Sequence, residues 1–349
     1  MRQSSNLCTM KRINWVDWTK CLAVMTVVFC HLPQSQEWMY FRYLQTCIIT
    51  IFFFLSGYLK HDRGTMAANW RKYWWGLVVP YGLYNLAMLP YWAIRYYIRL
   101  GSWPDAAALA KPIVGALLME HECGWAETLN GALWYLPAIL LMHLLADLCH
   151  RSRHEHLLMT AMCILSCVGY YLYRYYELPP SLTPIGFIRR LPYFYMGYLF
   201  GQRHLLRHVS SRWSDGLLCG AFLTASVWLF YWHVDVRWQL PLHITLFYAV
   251  NAGFLLGVVY GCRLLAGLTT PRWVTNLSIG TLIIIGLQWM AIGTANYCIS
   301  QLTDFNTGAS YNWWEALTIT VVITALLYPL IPFAKRHAPV LLGKRPDYL

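Results

Sequence analysis

Ten stretches of about twenty mostly apolar residues dominate this sequence and restrict its fold more than any other feature. A helix needs about 20 apolar residues to cross the hydrocarbon core of a bilayer. Charged residues make up only 12% of the chain, half of the ~25% typical of soluble domains. We therefore predict an all-α, polytopic integral membrane protein: a single membrane-embedded domain over residues 1–349 with no soluble domain. The predicted spans lie near residues 13–32, 42–60, 73–94, 131–150, 157–176, 185–203, 214–232, 241–261, 277–298 and 313–334.

Lysine and arginine are distributed unevenly between the two sets of loops that ten spans create. With a cytoplasmic N-terminus, eighteen of the 27 fall on the cytoplasmic side and eight at or beyond the outer side, while Lys20 lies within the first span. Basic residues accumulate in the cytoplasmic loops of membrane proteins, so both termini are predicted to be cytoplasmic. The partner implied by this pattern is the lipid bilayer. No nucleic-acid partner is expected, because no soluble segment alternates basic residues with exposed aromatic ones.

The longest predicted loop, residues 95–130, lies on the outer side. Its apolar piece, Pro112 to Met119, is too short to cross a bilayer and is predicted to be a re-entrant or interfacial element. Glu120, His121 and Glu122 follow it, but three adjacent residues cannot all face one ion, so no metal site is predicted. A long outer loop is a reasonable place for an external substrate to bind.

The first span contains ionisable residues that are expensive in a membrane and therefore candidates for function. Asp17 and Lys20 are spaced i, i+3, so they share a helix face and can neutralise each other. His31 lies eleven residues beyond Lys20, about 16 Å along a helix and close to three full turns, so both side chains point the same way. The structural alternatives are that Asp17 and Lys20 simply lie at the cytoplasmic end of the span, and that His31 is a residue of the membrane interface.

A cation at the cytoplasmic mouth with an imidazole deep on the same face suits a long, thin substrate with an anionic head. Coenzyme A has this shape, because its phosphates lie at one end and its pantetheine arm carries a thioester some 15 Å away, comparable to this helical rise. His31 would be the general base that takes a proton from an acceptor hydroxyl. Lys20 would bind the donor, and Asp17, grouped with His31 as a catalytic residue, would orient Lys20.

Several motifs, in order, resemble the acyltransferase-3 family of membrane O-acyltransferases, including its fucose 4-O-acetylase-like branch. The pattern of a basic residue, ten residues and a histidine is similar to the first helix of that family. The resemblance covers most of the chain, and the first 135 residues are the most specific. The other motifs are Phe52-Phe53-Phe54-Leu55-Ser56-Gly57-Tyr58-Leu59, Arg71-Lys72 before Pro80-Tyr81, Asn130 with Trp134-Tyr135-Leu136, Arg190-Leu191-Pro192 to Gly197, and Ser278-Ile279-Gly280-Thr281-Leu282.

The resemblance implies an O-acyltransferase of the bacterial inner membrane, with acetyl-CoA or another short acyl-CoA as donor and a carbohydrate or glycan hydroxyl as acceptor. Two departures from the family pattern occur. Gln288 stands where many members carry a histidine, and Lys20 stands where arginine is common, which keeps the charge but loses the planar fork. A transporter or flippase of a sugar conjugate is the rival function, although the sequence lacks inverted repeats. An inactive structural subunit of a polysaccharide assembly complex is a third.

The remaining candidate site residues each have a structural alternative. Ser56, Arg71 and Lys72 are predicted at the donor, although Ser56-Gly57 also suits close helix packing and the two cations also fit the charge rule. Asn130 and Trp134 are predicted to face the acceptor sugar, and an aromatic-belt tryptophan is the alternative. Arg189 and Arg190 violate the charge rule and suit an anionic acceptor or an oxyanion. His143 and Asp147 are spaced i, i+4 and could form a proton relay, although a packed polar pair near the inner end of the fourth span is the preferred interpretation.

Overall fold

The computed structural model describes residues 12–60, 64–118, 129–178, 182–206, 211–236, 239–302 and 310–345. Within these ranges the regular structure is helical and no β-strand occurs. The helices are α1 Asn14–His31, α2 Met39–Cys47, α3 Thr50–Tyr58, α4 Met66–Tyr73, α5 Val79–Leu100, α6 Ala106–Leu117, α7 Tyr135–His150, α8 Glu155–Tyr175, α9 Leu182–Gln202, α10 Arg212–Asp235, α11 Leu240–Leu268, α12 Arg272–Ile279, α13 Thr281–Leu302, α14 Trp313–Leu327 and α15 Leu330–His337. A π-helical turn, Trp74–Val78, joins α4 to α5, and a 3₁₀ turn, Pro339–Leu342, follows α15.

Helical residues occupy most of each predicted span, although several spans contain two consecutive helices. In the described part of the chain, seven helical stretches are long and apolar enough to cross a membrane. The all-α, polytopic membrane class is thereby confirmed. The other three predicted spans hold α1, α7 and α9: α7 has only 16 residues, while α1 and α9 carry charged side chains within their apolar runs. The seven stretches are Met39–Tyr58, Met66–Leu100, Glu155–Tyr175, Arg212–Asp235, Leu240–Leu268, Thr281–Leu302 and Trp313–His337.

Helix α1 lies at the centre of the bundle, where it packs against α3 and against α11 to α14. Its buried residues occur on all sides of the helix rather than on one stripe, as expected for a helix surrounded by protein. This position explains how a helix with two ionisable residues is tolerated: other helices, and not lipid, surround their side chains. The candidate residues of α1 are therefore directed into the protein.

Helices α3 and α9 approach each other so closely that their backbones touch. A Cβ atom added at Gly57 would lie 1.9 Å from the carbonyl oxygen of Phe194, and one added at Gly197 would lie 2.0 Å from that of Phe54. Any side chain at either position would push the helices apart, because no flexible group is available to move. The structural alternative for the Ser-Gly motif therefore holds for Gly57, which leaves Ser56 to be judged by its own contacts.

The segment predicted to be the outer loop contains a longer helix than the sequence predicted. Helix α6 has 12 residues, and its penultimate residue, Ala116, accepts a 2.8 Å hydrogen bond from the hydroxyl of Tyr81. Tyr81 lies near the start of α5, whereas α6 begins just after α5 ends. Helix α6 therefore folds back along α5, and its re-entrant or interfacial placement stays a prediction. Glu120, His121 and Glu122 lie outside the described residues.

The two ends of the described chain meet on one side of the bundle. The guanidinium of Arg12 donates to the carbonyl of Thr275 at 3.1 Å, and Lys335 donates to the side chain of the adjacent Asn276 at 2.5 Å. A chain that crosses a membrane an even number of times, as the ten predicted spans would, has both of its ends on the same side. The side of the membrane on which they lie stays a prediction from the charge distribution.

Candidate active site

His31 is the last residue of α1, and its hydrogen bonding defines which ring nitrogen is available. Its Nδ1 atom lies 2.7 Å from the carbonyl oxygen of Val27, one turn earlier. A carbonyl only accepts hydrogen bonds, so in the neutral ring Nδ1 carries the proton and Nε2 keeps its lone pair. The ring of Trp289 packs edge-on against the imidazole, with centroids 5.1 Å apart. The half-buried His31 is thus held in the tautomer that a general base requires.

A cavity of about 300 Å³ adjoins His31, and we name it the His31 cavity. Three of the four predicted acceptor residues line it: Trp134, Arg189 and Arg190. The exposed Gln45 also lines it, so the cavity reaches the protein surface there. The ring of Trp134 occupies the space that a Cβ on Gly186 would fill, at 1.9 Å. The glycine therefore allows the tryptophan to form part of the wall.

Asn130, the fourth predicted acceptor residue, is absent from that wall. Its side chain is fully buried and donates to the carbonyl of Gly286 at 2.7 Å, while its Oδ1 accepts from the backbone N–H of Ala132 at 3.2 Å. Both functions of the amide are occupied, so Asn130 fastens the chain before α7 to α13. The prediction that it faces the sugar does not fit this geometry.

A second cavity of about 340 Å³ lies farther along α1, and we name it the Lys20 cavity. Lys20, Ser56 and Lys72, all predicted at the donor, line it. Lys72 is exposed, so this cavity also reaches the surface. Arg71 is exposed on α4 and does not belong to the wall, so its predicted contact with the donor has no geometric support. The wall also contains Lys60, Tyr73 and His143.

Ser56 and His143 meet in the wall of the Lys20 cavity. The Oγ of Ser56 lies 2.8 Å from the Nε2 of His143, and the ring of Tyr73 stacks on the imidazole with centroids 4.9 Å apart. A hydroxyl hydrogen-bonded to an imidazole is a polar pair suited to contact a thioester or an amide of a bound substrate. The hydrogen-bond partner of His143 is therefore Ser56 and not Asp147, so the predicted polar pair does not form.

Asp147 belongs to a separate buried ion pair one turn further along α7. Its Oδ1 lies 2.5 Å from the ammonium of Lys60, and its Oδ2 accepts a 2.8 Å hydrogen bond from the hydroxyl of Tyr73. Lys60 also donates to Tyr73 at 2.9 Å. Sequence reasoning counted Lys60 only as a cytoplasmic charge. Its position four residues after Ser56, which a helix continuing through residue 60 would place on the same face, was the available signal.

Asp17 does not pair with Lys20 as predicted. Its buried carboxylate receives two hydrogen bonds from Arg12, at 2.5 and 3.0 Å, and a third from the hydroxyl of Ser278 at 2.6 Å. The i, i+3 spacing placed the two residues on neighbouring positions, but competing donors from outside the helix occupy the carboxylate. Asp17 therefore anchors α1 to the break between α12 and α13, and Lys20 is directed to the cavity.

Tyr135, the first residue of α7, lines both cavities. The two cavities therefore adjoin at one buried residue. Lys20 and His31, one in each wall, are separated by about 16 Å along the unbroken helix α1. A long substrate in the Lys20 cavity would meet a second substrate in the His31 cavity at Tyr135. The sequence named Tyr135 only as part of a motif and missed this position.

Gln288, which departs from the family pattern, is fully buried on α13. Neither its Nε2 nor its Oε1 has a hydrogen-bond partner among the described residues. It does not belong to the wall of either cavity. The described residues also contain no group of three or more His, Cys, Asp or Glu side chains arranged to hold a metal ion.

Comparison with known proteins gives one match. A family model described as an acyltransferase domain matches residues 13–331, which is most of the chain and includes every wall residue of the two cavities except Leu342 of the Lys20 cavity. No curated protein and no solved structure matches the chain.

Proposed function

Because the chain belongs to the acyltransferase-3 family, and is therefore a membrane acyltransferase, we propose that it moves a short acyl group from acyl-coenzyme A to a carbohydrate hydroxyl. The preferred donor is acetyl-CoA, which makes the protein an O-acetyltransferase. The acceptor is a sugar of a glycolipid or polysaccharide, as in the fucose 4-O-acetylase-like branch, and the compartment is the bacterial inner membrane. Membership of the family supports acyl transfer itself. The donor, the acceptor and the compartment are our proposals.

One observation carries the proposal: two cavities lie at different levels along α1 and share the side chain of Tyr135. A transferase that uses substrates from two sides of a membrane needs two entrances and one meeting point. The Lys20 cavity offers Lys20 and Lys72 to an anion, and its imidazole, His143, is already hydrogen-bonded at Nε2 to Ser56. The His31 cavity offers the imidazole of His31, beside Arg189 and Arg190, to a hydroxyl. This division matches an anionic donor on one side and a hydroxyl acceptor on the other.

On the donor side, Lys20 and Lys72 attract the phosphates of coenzyme A, because ammonium groups form charge-assisted hydrogen bonds with phosphate oxygens. The pantetheine arm lies along the apolar wall of the Lys20 cavity, toward Tyr135. Ser56, hydrogen-bonded to His143, lies beside this path. Lys60 is neutralised by Asp147, so it shapes the wall rather than binding a phosphate.

On the acceptor side, the Nε2 atom of His31 removes the proton from the acceptor hydroxyl as its oxygen attacks the thioester carbonyl. The new carbon–oxygen bond forms, the carbon–sulfur bond breaks, and the sulfur leaves as a thiolate. The imidazolium then returns the proton to that sulfur, so His31 is regenerated. The hydrogen bond from Nδ1 to Val27 stabilises the imidazolium that exists between these two proton transfers.

The direct test compares the wild-type protein with His31→Gln in membranes supplied with isotopically labelled acetyl-CoA. We expect labelled acyl groups on surface glycans by mass spectrometry with the wild type and none above background with His31→Gln. A transporter or flippase gives a different result, because its substrate would change sides without gaining a label. Label transfer that His31→Gln leaves intact would contradict the proposed role of His31.

A further inference from the structure

Arg189 and Arg190 are consecutive arginines within the helical bundle, and their side chains are poorly satisfied. Arg190 is only 4% exposed, and its guanidinium donates to the carbonyl of Thr46 at 3.2 Å. The Nε atoms of both arginines are buried and have no hydrogen-bond partner among the residues that the structure describes. Each guanidinium has five N–H groups to satisfy, so most of the donor capacity of this pair is unused by the protein.

Aromatic rings, rather than carboxylates, surround the two cations. The guanidinium carbons of Arg189 and Arg190 lie 4.8 and 5.2 Å from the centroid of the same ring, Phe247, and Arg189 lies 5.2 Å from the ring of Tyr170. The shared ring brings two like charges close together. An aromatic face attracts a cation but accepts no strong hydrogen bonds from its N–H groups.

No carboxylate in the described part of the chain forms an ion pair with either arginine. Arg12 and Arg263, by contrast, each form an ion pair with an aspartate. The wall of the His31 cavity, which both Arg189 and Arg190 line, contains no acidic residue. Burying two adjacent cations without an anion is unfavourable. The protein has therefore kept an arrangement that an external anion would stabilise.

The location of the pair indicates what that anion belongs to. Arg189 and Arg190 share the cavity with His31, and the cavity reaches the surface at the exposed Gln45. Helix α7 begins at Tyr135 beside the same cavity, and the positive end of its dipole adds to the attraction for an anion. A group that binds the arginines would thus lie in the compartment that contains the general base.

We propose that the His31 cavity recognises an anionic acceptor, in which a carboxylate or phosphate binds Arg189 and Arg190 close to the hydroxyl to be acylated. This inference rests on the proposed function, because it assigns the acceptor to that cavity. Guanidinium groups bind both kinds of anion through paired hydrogen bonds. Binding at a fixed pair of arginines also selects which hydroxyl reaches His31, because position and orientation determine the rate of such a reaction.

The test uses purified protein in lipid nanodiscs and three probes that share a sugar ring: methyl glucoside, glucuronic acid and glucose 1-phosphate. The binding arm measures protection of Arg189 and Arg190 from the arginine reagent phenylglyoxal, mapped by peptide mass spectrometry. We expect at least one anionic probe to protect both residues and methyl glucoside to protect neither. Glucuronic acid and glucose 1-phosphate distinguish a carboxylate from a phosphate. Absence of protection by both anions would overturn the proposal, whether or not any probe is acylated.

Variants separate recognition of the acceptor from stabilisation of the reaction. Arg189→Gln and Arg190→Gln should each weaken binding of the protective anion by about 10–100-fold, because each removes one partner of a desolvated charge contact. Arg174→Gln is the matched control, since it removes the same charge from an exposed position in the last turn of α8. Arg190→Lys keeps the charge and should bind with intermediate affinity. If Arg190→Gln fails to fold, Arg190→Lys provides the binding test at this position.

Acyl transfer is then measured with each acceptor that the wild type uses. A loss confined to anionic acceptors supports the proposal. An equal loss with neutral and anionic acceptors would overturn it, because the arginines would then act on the charge of the reaction itself. A protein that binds no acetyl-CoA contradicts the proposed function instead, and the protection measurement still decides the anion site.

Discussion

The hydroxyl of Ser278 donates a 2.6 Å hydrogen bond to the carboxylate of Asp17, and so ties the end of α12 to the first turn of α1. Arg12 binds the same carboxylate from the other side. The chain between Ser278 and Thr281 breaks at Gly280, where a Cβ atom would lie 2.2 Å from the side chain of Ile331. Two motifs that are 261 residues apart in sequence therefore form one structural joint.

This joint predicts that Asp17 and Ser278 act on stability. We expect Ser278→Ala to lower the free energy of unfolding by about 1.5–3 kcal/mol, the range for a hydrogen bond to a charged group, as measured by denaturation in detergent. Asp17→Asn should retain acyl transfer, because its neutral amide keeps the shape and an acceptor oxygen for Ser278. Loss of transfer in a stable Asp17→Asn protein would restore the catalytic role that the sequence predicted.

His31 is predicted to be indispensable for transfer. We expect His31→Gln to reduce the acyl-transfer rate by about 10²–10⁴-fold, the usual contribution of a general base, because an amide keeps the size of the ring but accepts no proton. Binding of acyl-CoA should be unchanged, since the donor residues lie in the Lys20 cavity. Equilibrium binding measured beside the rate provides the control. Weakened binding with an unchanged rate would contradict this division of roles.

The donor side is tested by three cations that differ in their relation to the Lys20 cavity. Lys20→Ala and Lys72→Ala should each weaken acyl-CoA binding by about 10–100-fold, because each removes a charge-assisted hydrogen bond worth ~1.5–3 kcal/mol. Arg71→Ala is the matched control, since Arg71 is adjacent to Lys72 but outside the wall. Isothermal titration measures all three. A larger effect for Arg71 than for Lys72 would place the phosphates outside the cavity.

The buried pair of Lys60 and Asp147 predicts strong coupling in a double-mutant cycle. Either single change, Lys60→Met or Asp147→Leu, should destabilise the protein by about 3–5 kcal/mol, because it leaves an uncompensated buried charge. The double variant should recover much of that loss, since removing both charges also removes their desolvation cost. Unfolding in detergent measures the cycle. Additive losses would show that the two side chains are not coupled.

Topology is tested at the two ends of α8. Arg153 and Glu177 are exposed and lie in the segments that precede and follow this helix. In a background without native cysteines, a membrane-impermeant maleimide added outside should label Glu177→Cys and not Arg153→Cys. This result follows from the predicted excess of basic residues on the cytoplasmic side. The opposite labelling pattern would reverse the assignment of donor and acceptor sides.

The sequence by itself determined the membrane class, the approximate spans and the alignment of Lys20 with His31. These properties are local: the length of an apolar run depends on composition, and the shared face of Lys20 and His31 depends only on the pitch of one helix. Within one helix, the number of residues between two side chains sets their distance and relative direction, whatever the other helices do. That Trp134, Arg189 and Arg190 line one cavity could not be predicted in this way. Their motifs indicated only that all three lie toward the same side of the membrane.

The tertiary structure decided which side chains bind each other and which remain available to a ligand. Asp17 had a partner one turn away in sequence, yet Arg12 and Ser278 occupy its carboxylate. Asn130 appeared to be a sugar ligand, yet the backbone of α13 uses its amide. Polar groups in a helical bundle form hydrogen bonds with whichever donor or acceptor the packing brings near, because leaving them unpaired is costly. Packing between distant segments of the chain decides which partner each polar group finds, and the spacing of residues in the sequence does not reveal that partner.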